Sequence, residues 1–193
     1  MTALMNDEDM QAVMAGLQSD GTDDVTLLDA AISQHPDDPR LHFLKASSCA
    51  GEGRLIEAHA SFAKAVEIAP DFHIARFQFG FFQLTSGESD NALKTWARLD
   101  ALPKDHYLRV FVIGLRHLIR DEFSECIDTL ERGIALNEEN PPLNNDMGLI
   151  IEQVKPLMSA DAEASMAESE SEETEEASLT SILLQHSNNQ TRH

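Results

Sequence analysis

The chain has 193 residues, 42% hydrophobic and 25% charged, with 34 Asp and Glu against 14 Lys and Arg and a formal net charge of −20. That length fits one ordinary domain or a short repeat array, and the apolar content suffices for a core. A surface this negative repels phosphate backbones and anionic lipid headgroups, so nucleic acid and membrane surfaces are excluded as expected partners, while basic or apolar proteins are not.

The N-terminal stretch 1–9 carries acidic residues and no basic segment ahead of an apolar run, so no secretory signal is expected. No apolar run approaches the roughly 20 residues of a membrane-spanning helix. The two cysteines, Cys49 and Cys126, are far apart and each sits inside an apolar helical pattern, which predicts small buried hydrophobes rather than a disulfide or metal pair. Together these features predict a cytoplasmic protein.

Sliding the sequence by 34 residues aligns the small residues Ala46, Gly80, Gly114 and Gly148 without a gap. The same shift aligns Ala58 with Ala92 and Cys126, Phe62 with Trp96 and Leu130, and Ala65 with Leu99 and Gly133. Gly53 meets Gly87 and then Asp121. In the unit that begins at residue 39, a helix over about 39–51 carries Ala46 where a neighbour must approach closely. Gly53 then supplies a turn, and a second helix over about 55–68 places Ala58, Phe62 and Ala65 on one face. Pro70 stops it. One such hairpin cannot cover its own apolar side, so neighbouring hairpins must stack.

Taken in chain order, 1–38 is a degenerate helix pair, 39–140 holds three units (39–72, 73–106 and 107–140), and 141–156 is a lone capping helix closed by Pro156. The tail, 157–193, is different in substance. Eight carboxylates and no Lys or Arg lie between 159 and 178, a composition that predicts disorder. Within the tail, 178–184 is a short apolar segment with Leu179, Ile182 and Leu183 at helical spacing, and its self-docking in the protein's own groove is one expectation.

The period, the small-residue positions and the second-helix pattern Ala58, Phe62, Ala65, Pro70 resemble the tetratricopeptide repeat (TPR) family over roughly 5–154. The resemblance implies an all-α fold, a right-handed superhelix of stacked antiparallel helix pairs. Two positions depart from the family. The early aromatic of the first helix is replaced by His42, Arg76 and Val110, and the tyrosine near its end by Cys49, Gln83 and His117.

The resemblance also implies that each first helix faces a concave groove. The lining is then Phe43, Ser47 and Ala50 in the first full unit, Ile74, Phe77, Phe81 and Leu84 in the second, and Leu108, Phe111, Leu115 and Leu118 in the third. The slots in which a well-known TPR subtype clamps the C-terminal carboxylate of heat-shock chaperones hold Phe43, Ser47, Gln78, Leu108 and Val112, so that clamp is absent. An apolar lining of this kind suits an amphipathic helix or an apolar peptide, with the acidic rim favouring basic flanks.

No glycine-rich phosphate loop follows a strand, no His-Glu-x-x-His or Cys-x-x-Cys pair occurs, and the eight histidines lack ligand spacing. No catalytic, cofactor or metal residue is therefore assigned, and no cofactor is expected. The function expected is a non-enzymatic scaffold or adaptor holding a peptide or helix of another protein. Two alternatives share the fold: a bacterial secretion-type chaperone for an apolar client, and a regulatory subunit of an enzyme complex. The sequence assigns no oligomeric state.

Overall fold

A computed structural model describes residues 4–18 and 23–157, and the described residues are helical with no strand. The helices are α1 (Asp7–Leu17), α2 (Asp24–Gln34), α3 (Pro39–Gly51), α4 (Leu55–Ile68), α5 (His73–Thr85), α6 (Ser89–Trp96), α7 (Tyr107–Ile119) and α8 (Phe123–Leu136). A last helix, α9 (141–157), follows. Consecutive helices pack as pairs, α3 on α4, α5 on α6 and α7 on α8, and α2–α3 and α4–α5 join one pair to the next.

Local chemistry sets the helix ends. Asn6 and Asp23 cap α1 and α2 by accepting from the backbone N–H of Asp9 and Thr26. Asp38 caps α3 from a fully buried position, accepting from the N–H of Arg40 and of Met5 and from the Arg40 guanidinium, with Pro39 opening the helix. Burial by itself would push the Asp38 carboxyl up, but the Arg40 and Met5 bonds outweigh it and hold it below its ordinary range. This carboxylate ties the N-terminal segment at Met5 to the start of α3.

The turn inside each hairpin is built the same way three times. Gly53, Gly87 and Asp121 adopt φ of 74°, 82° and 57°, the left-handed conformation that ends α3, α5 and α7. The next residue's N–H, from Arg54, Glu88 or Glu122, donates back to Cys49, Gln83 or His117 at 2.8, 2.8 and 3.0 Å. Glycine holds this conformation freely, whereas an Asp side chain crowds it. Asp121→Gly is therefore expected to raise stability by about 0.5–1 kcal/mol. In urea the midpoint should move up with an unchanged slope.

Small residues set the distance between paired helices. A Cβ on Gly80 would overlap the Trp96 indole, one on Gly114 would overlap Leu130, and one on Gly133 would overlap the Phe111 ring. Trp96 is fully buried, stacked on Phe77 with centroids 6.3 Å apart, and its indole N–H donates to the Phe77 carbonyl at 3.0 Å. The second helix of this unit is interrupted: α6 ends at Trp96 and a 3₁₀ turn, Ala97–Ala101, takes its place. Fully buried Leu99 occupies the slot that holds Ala65 or Gly133 in the other units, and its bulk matches the tighter winding there.

The apolar interior is uneven along the array. One large cluster runs from Phe77 and Trp96 through Phe111, Leu115 and Leu130 to Leu143, Met147, Ile151 and Val154 of α9. Smaller clusters serve the first half, around Leu28 and Leu41, around Cys49 and Ala58, and around Ala46 and Phe62. Both cysteines are free and buried, as their apolar setting implies, and burial pushes the Cys126 thiol up to about 11.

Asn137 orients α9. It is buried, donates to the Asn140 carbonyl and the Asn144 side chain, and accepts from the Asn140 N–H. The helix then runs through Pro156 to residue 157 rather than stopping before the proline. So close to a helix end the ring costs only one backbone bond. The acidic tail, its expected disorder and the apolar segment 178–184 lie outside the described residues.

Candidate peptide-binding clefts

The expected groove residues fall into two groups. Phe77, Leu108, Phe111 and Leu115 are buried within the main cluster. Ile74, Phe81, Leu84 and Leu118 pack against that cluster and are half-buried, whereas Phe43 belongs to the separate cluster around Phe62. The expectation that Phe77, Leu108, Phe111 and Leu115 present an accessible surface is therefore corrected, and these four are core.

The physical reason lies in the third unit. With no side chain at Gly133, α8 leaves room for the Phe111 ring, and Phe111 then meets Phe77 at 6.0 Å and Tyr107 at 6.0 Å between centroids. Aromatic pairs at such spacing add attraction to the area they bury. The space between α5 and α7 is thereby filled by the protein's own rings.

Open space remains one unit earlier. Ser47 and Ala50 of α3, Phe62 of α4, and Gln78, Phe81, Phe82 and Thr85 of α5 line a cleft of about 250 Å³. The Ser47 hydroxyl donates to the Phe43 carbonyl, and that of Thr85 to the carbonyls of Phe81 and Phe82, so both are spent on their own helices. No hydrogen bond engages the Gln78 amide among the described residues, which leaves it a donor and an acceptor. A space below the roughly 300–1,000 Å³ of small-molecule sites fits a side-chain anchor better than a cofactor.

A second cleft, of about 450 Å³, is lined by Leu55, Ile56, His59, Phe82, Ser86 and Glu88. Phe82 separates it from the first, and its ring is held by Phe62 at 5.6 Å. Ile56 is 88% exposed and Leu55 53%, an apolar pair standing in solvent at the start of α4. Nearby, Arg54 is held by Glu57 and Glu52, which leaves the cleft's border acidic.

The groove assignment by resemblance did not reach this second cleft. A signal was nevertheless present in the repeat register, where Leu55 and Ile56 correspond to Ser89 and Asp90 in the next unit. Two apolar residues stand there where the neighbouring unit is polar, and the helix pairing leaves them exposed. Chemically, the two clefts offer apolar sockets, one free amide and an acidic border. Among the described residues no three His, Cys, Asp or Glu side chains gather as a metal site, and no helix is long and apolar enough to cross a membrane.

Comparison with solved structures supports the architecture. The chain is similar to MamA, residue 41 to the end, from Desulfovibrio magneticus RS-1, with a TM-score of 0.55 at 14% identity over 82% of this chain and 94% of that one. A MamA RS-1 double mutant gives a TM-score of 0.49 at 12% identity over 71% of this chain and 86% of that one. No family model matches the sequence. No curated protein matches it either.

Proposed function

We propose that the protein is a non-enzymatic interaction module of the TPR type, which seats an apolar segment of another protein across the two clefts on either side of Phe82. The observation that carries this reading is the exposed pair Leu55 and Ile56 beside a cleft that shares Phe82 with the socket of Phe62 and Phe81. A solvent-facing isoleucine next to a preformed apolar socket offers burial to a partner and contributes nothing to this fold.

In this reading one apolar side chain enters beside Ala50 and Phe81, and a second covers Ile56 and His59. Gln78 bonds the peptide backbone between them. Half-buried Ile74, Leu84 and Leu118 extend the apolar rim toward the third unit, and the acidic border formed with Glu88 and Glu57 favours basic flanks on the ligand.

Selection of random peptides on the intact protein tests the reading. The selected sequences should carry two apolar anchors with Lys or Arg beside them. A Phe81→Glu/Ile56→Glu variant that retains its helical circular dichroism should bind them at least about 30-fold more weakly, equivalent to about 2 kcal/mol at a central anchor. Peptides that bind this folded variant unchanged would place recognition on another face.

A further inference from the structure

The chain holds more than two carboxylates per cation, so a basic side chain anywhere on it should find an acid. Most do. Arg40, Lys45, Arg54, Lys64, Arg98, Arg116 and Arg120 each lie within 4.0 Å of a carboxylate. Among the described residues no ion pair engages Arg76, Lys94, Lys104, Arg109, Arg132 or Lys155, and three of these, Lys104, Arg109 and Arg132, converge on one cleft of about 520 Å³.

A loop and two helices bring them together. Lys104 and Asp105 come from the loop before α7, Arg109 and Ile113 from α7, and Arg132 and Leu136 from the end of α8. The Arg109 guanidinium is fixed by its bond to the Leu102 carbonyl at 2.6 Å, so one cation is pre-oriented. Ile113 and Leu136 give the cleft an apolar floor. Among the described residues Asp105 is the one carboxylate that lines it. Three cations match a ligand dense in carboxylates whose remaining side chains are small.

We infer that this cleft binds an acidic peptide, and that its occupant is the chain's own segment 168–176. That segment holds six carboxylates, spaced among Ser and Thr, and no cation. Its tether reaches. The cleft lies at the end of α8, where α9 begins. At 1.5 Å per residue α9 carries the chain about 25 Å away. The ten residues from 158 to 167 then span at most about 35 Å when extended, enough to return. A tether of this length keeps the segment at an effective concentration in the millimolar range, ahead of any acidic ligand in dilute solution. The inference stands on the basic cleft and does not depend on the clefts beside Phe82.

The test uses the full chain with a nitroxide on Ser171→Cys, the native thiols being buried. Amides of residues 104–109 and 132–136 should be attenuated about twofold or more at low ionic strength, and should recover in about 0.5 M salt, where the screening length falls below about 5 Å. Lys104→Gln/Arg132→Gln, checked for folding by circular dichroism, should abolish the attenuation. Attenuation that survives this variant, that centres on Ser47 and Phe81, or that is absent everywhere overturns the inference. So does equal attenuation when a labelled chain is mixed with an unlabelled, isotope-enriched one, because the contact would then form between molecules.

Discussion

Phe77→Glu is expected to unfold the α5–α9 half of the array instead of yielding a folded protein with impaired binding. The Phe77 ring is fully buried, stacked at 6.2 Å on Phe81 and at 6.3 Å on Trp96, and 6.0 Å from Phe111. A carboxylate there has no cation within the cluster, and burying an unpaired charge costs several kcal/mol even when the group neutralises itself. Loss of the ring alone, as in Phe77→Ala, should cost about 3–5 kcal/mol. In a marginally stable domain of about 5–15 kcal/mol, either loss is a large share of the whole. Thermal melts followed by circular dichroism check this. A Phe77→Glu protein that melts near the parent temperature would mean that the ring is dispensable to the core. Phe81→Glu should stay folded, since Phe81 is half-buried at the edge of the same cluster.

The second large effect concerns Gly80 and Trp96. Because a Cβ at Gly80 would overlap the indole, Gly80→Ala is expected to destabilise by about 1–3 kcal/mol despite alanine's better helix propensity. Trp96→Phe removes area and the bond to the Phe77 carbonyl, and should cost about 2–4 kcal/mol alone. The double variant recreates the Ala46 and Phe62 pair, which already packs well in the preceding unit. Its cost should therefore fall short of the sum of the single costs by about 1–2 kcal/mol, a coupling that a double-mutant cycle in urea measures directly. Strict additivity would show that the two residues do not set the α5–α6 spacing together. The same cycle on Gly114 and Leu130 offers a control in which the larger partner is already aliphatic.

These two cases show why the repeat register carries the architecture and does not say which of its apolar residues are covered. The 34-residue register is written in residues whose roles are local, and those roles survive into three dimensions. Gly53, Gly87 and Asp121 recur because each first helix ends in the left-handed region, and Ala46, Gly80 and Gly114 recur because each hairpin needs one close approach. Helix limits such as 39–51 and 55–68 follow from Pro39, Gly53 and Pro70, which act within a few residues of themselves. The all-helical arrangement of paired helices was legible for that reason.

Exposure is not local. Phe81 and Phe77 stand four residues apart on one face of α5, and no pattern within that helix separates them. Phe77 is covered because Phe111 leans over Gly133, a missing side chain three helices further on, and because α9 closes the end of the cluster. Ser47 and Ala50, by contrast, are too small to fill the space facing Phe81, so the cleft stays open there. Leu55 and Ile56 differ in the repeat register from Ser89 and Asp90 of the next unit, but only the packing of α4 against α5 shows that they stand in solvent.

The convergence of Lys104, Arg109 and Arg132 is a tertiary fact of the same kind, since these residues meet only where α7 begins and α8 ends. The sequence by itself determined the helix pairs, the turn chemistry and the acidic character of the surface, because periodicity, backbone preference and charge act over one or two turns of chain. The tertiary structure alone decided which aromatics are core, which clefts remain open and which cations lack a partner. Those outcomes depend on the summed volumes of side chains that come from three or four helices at once.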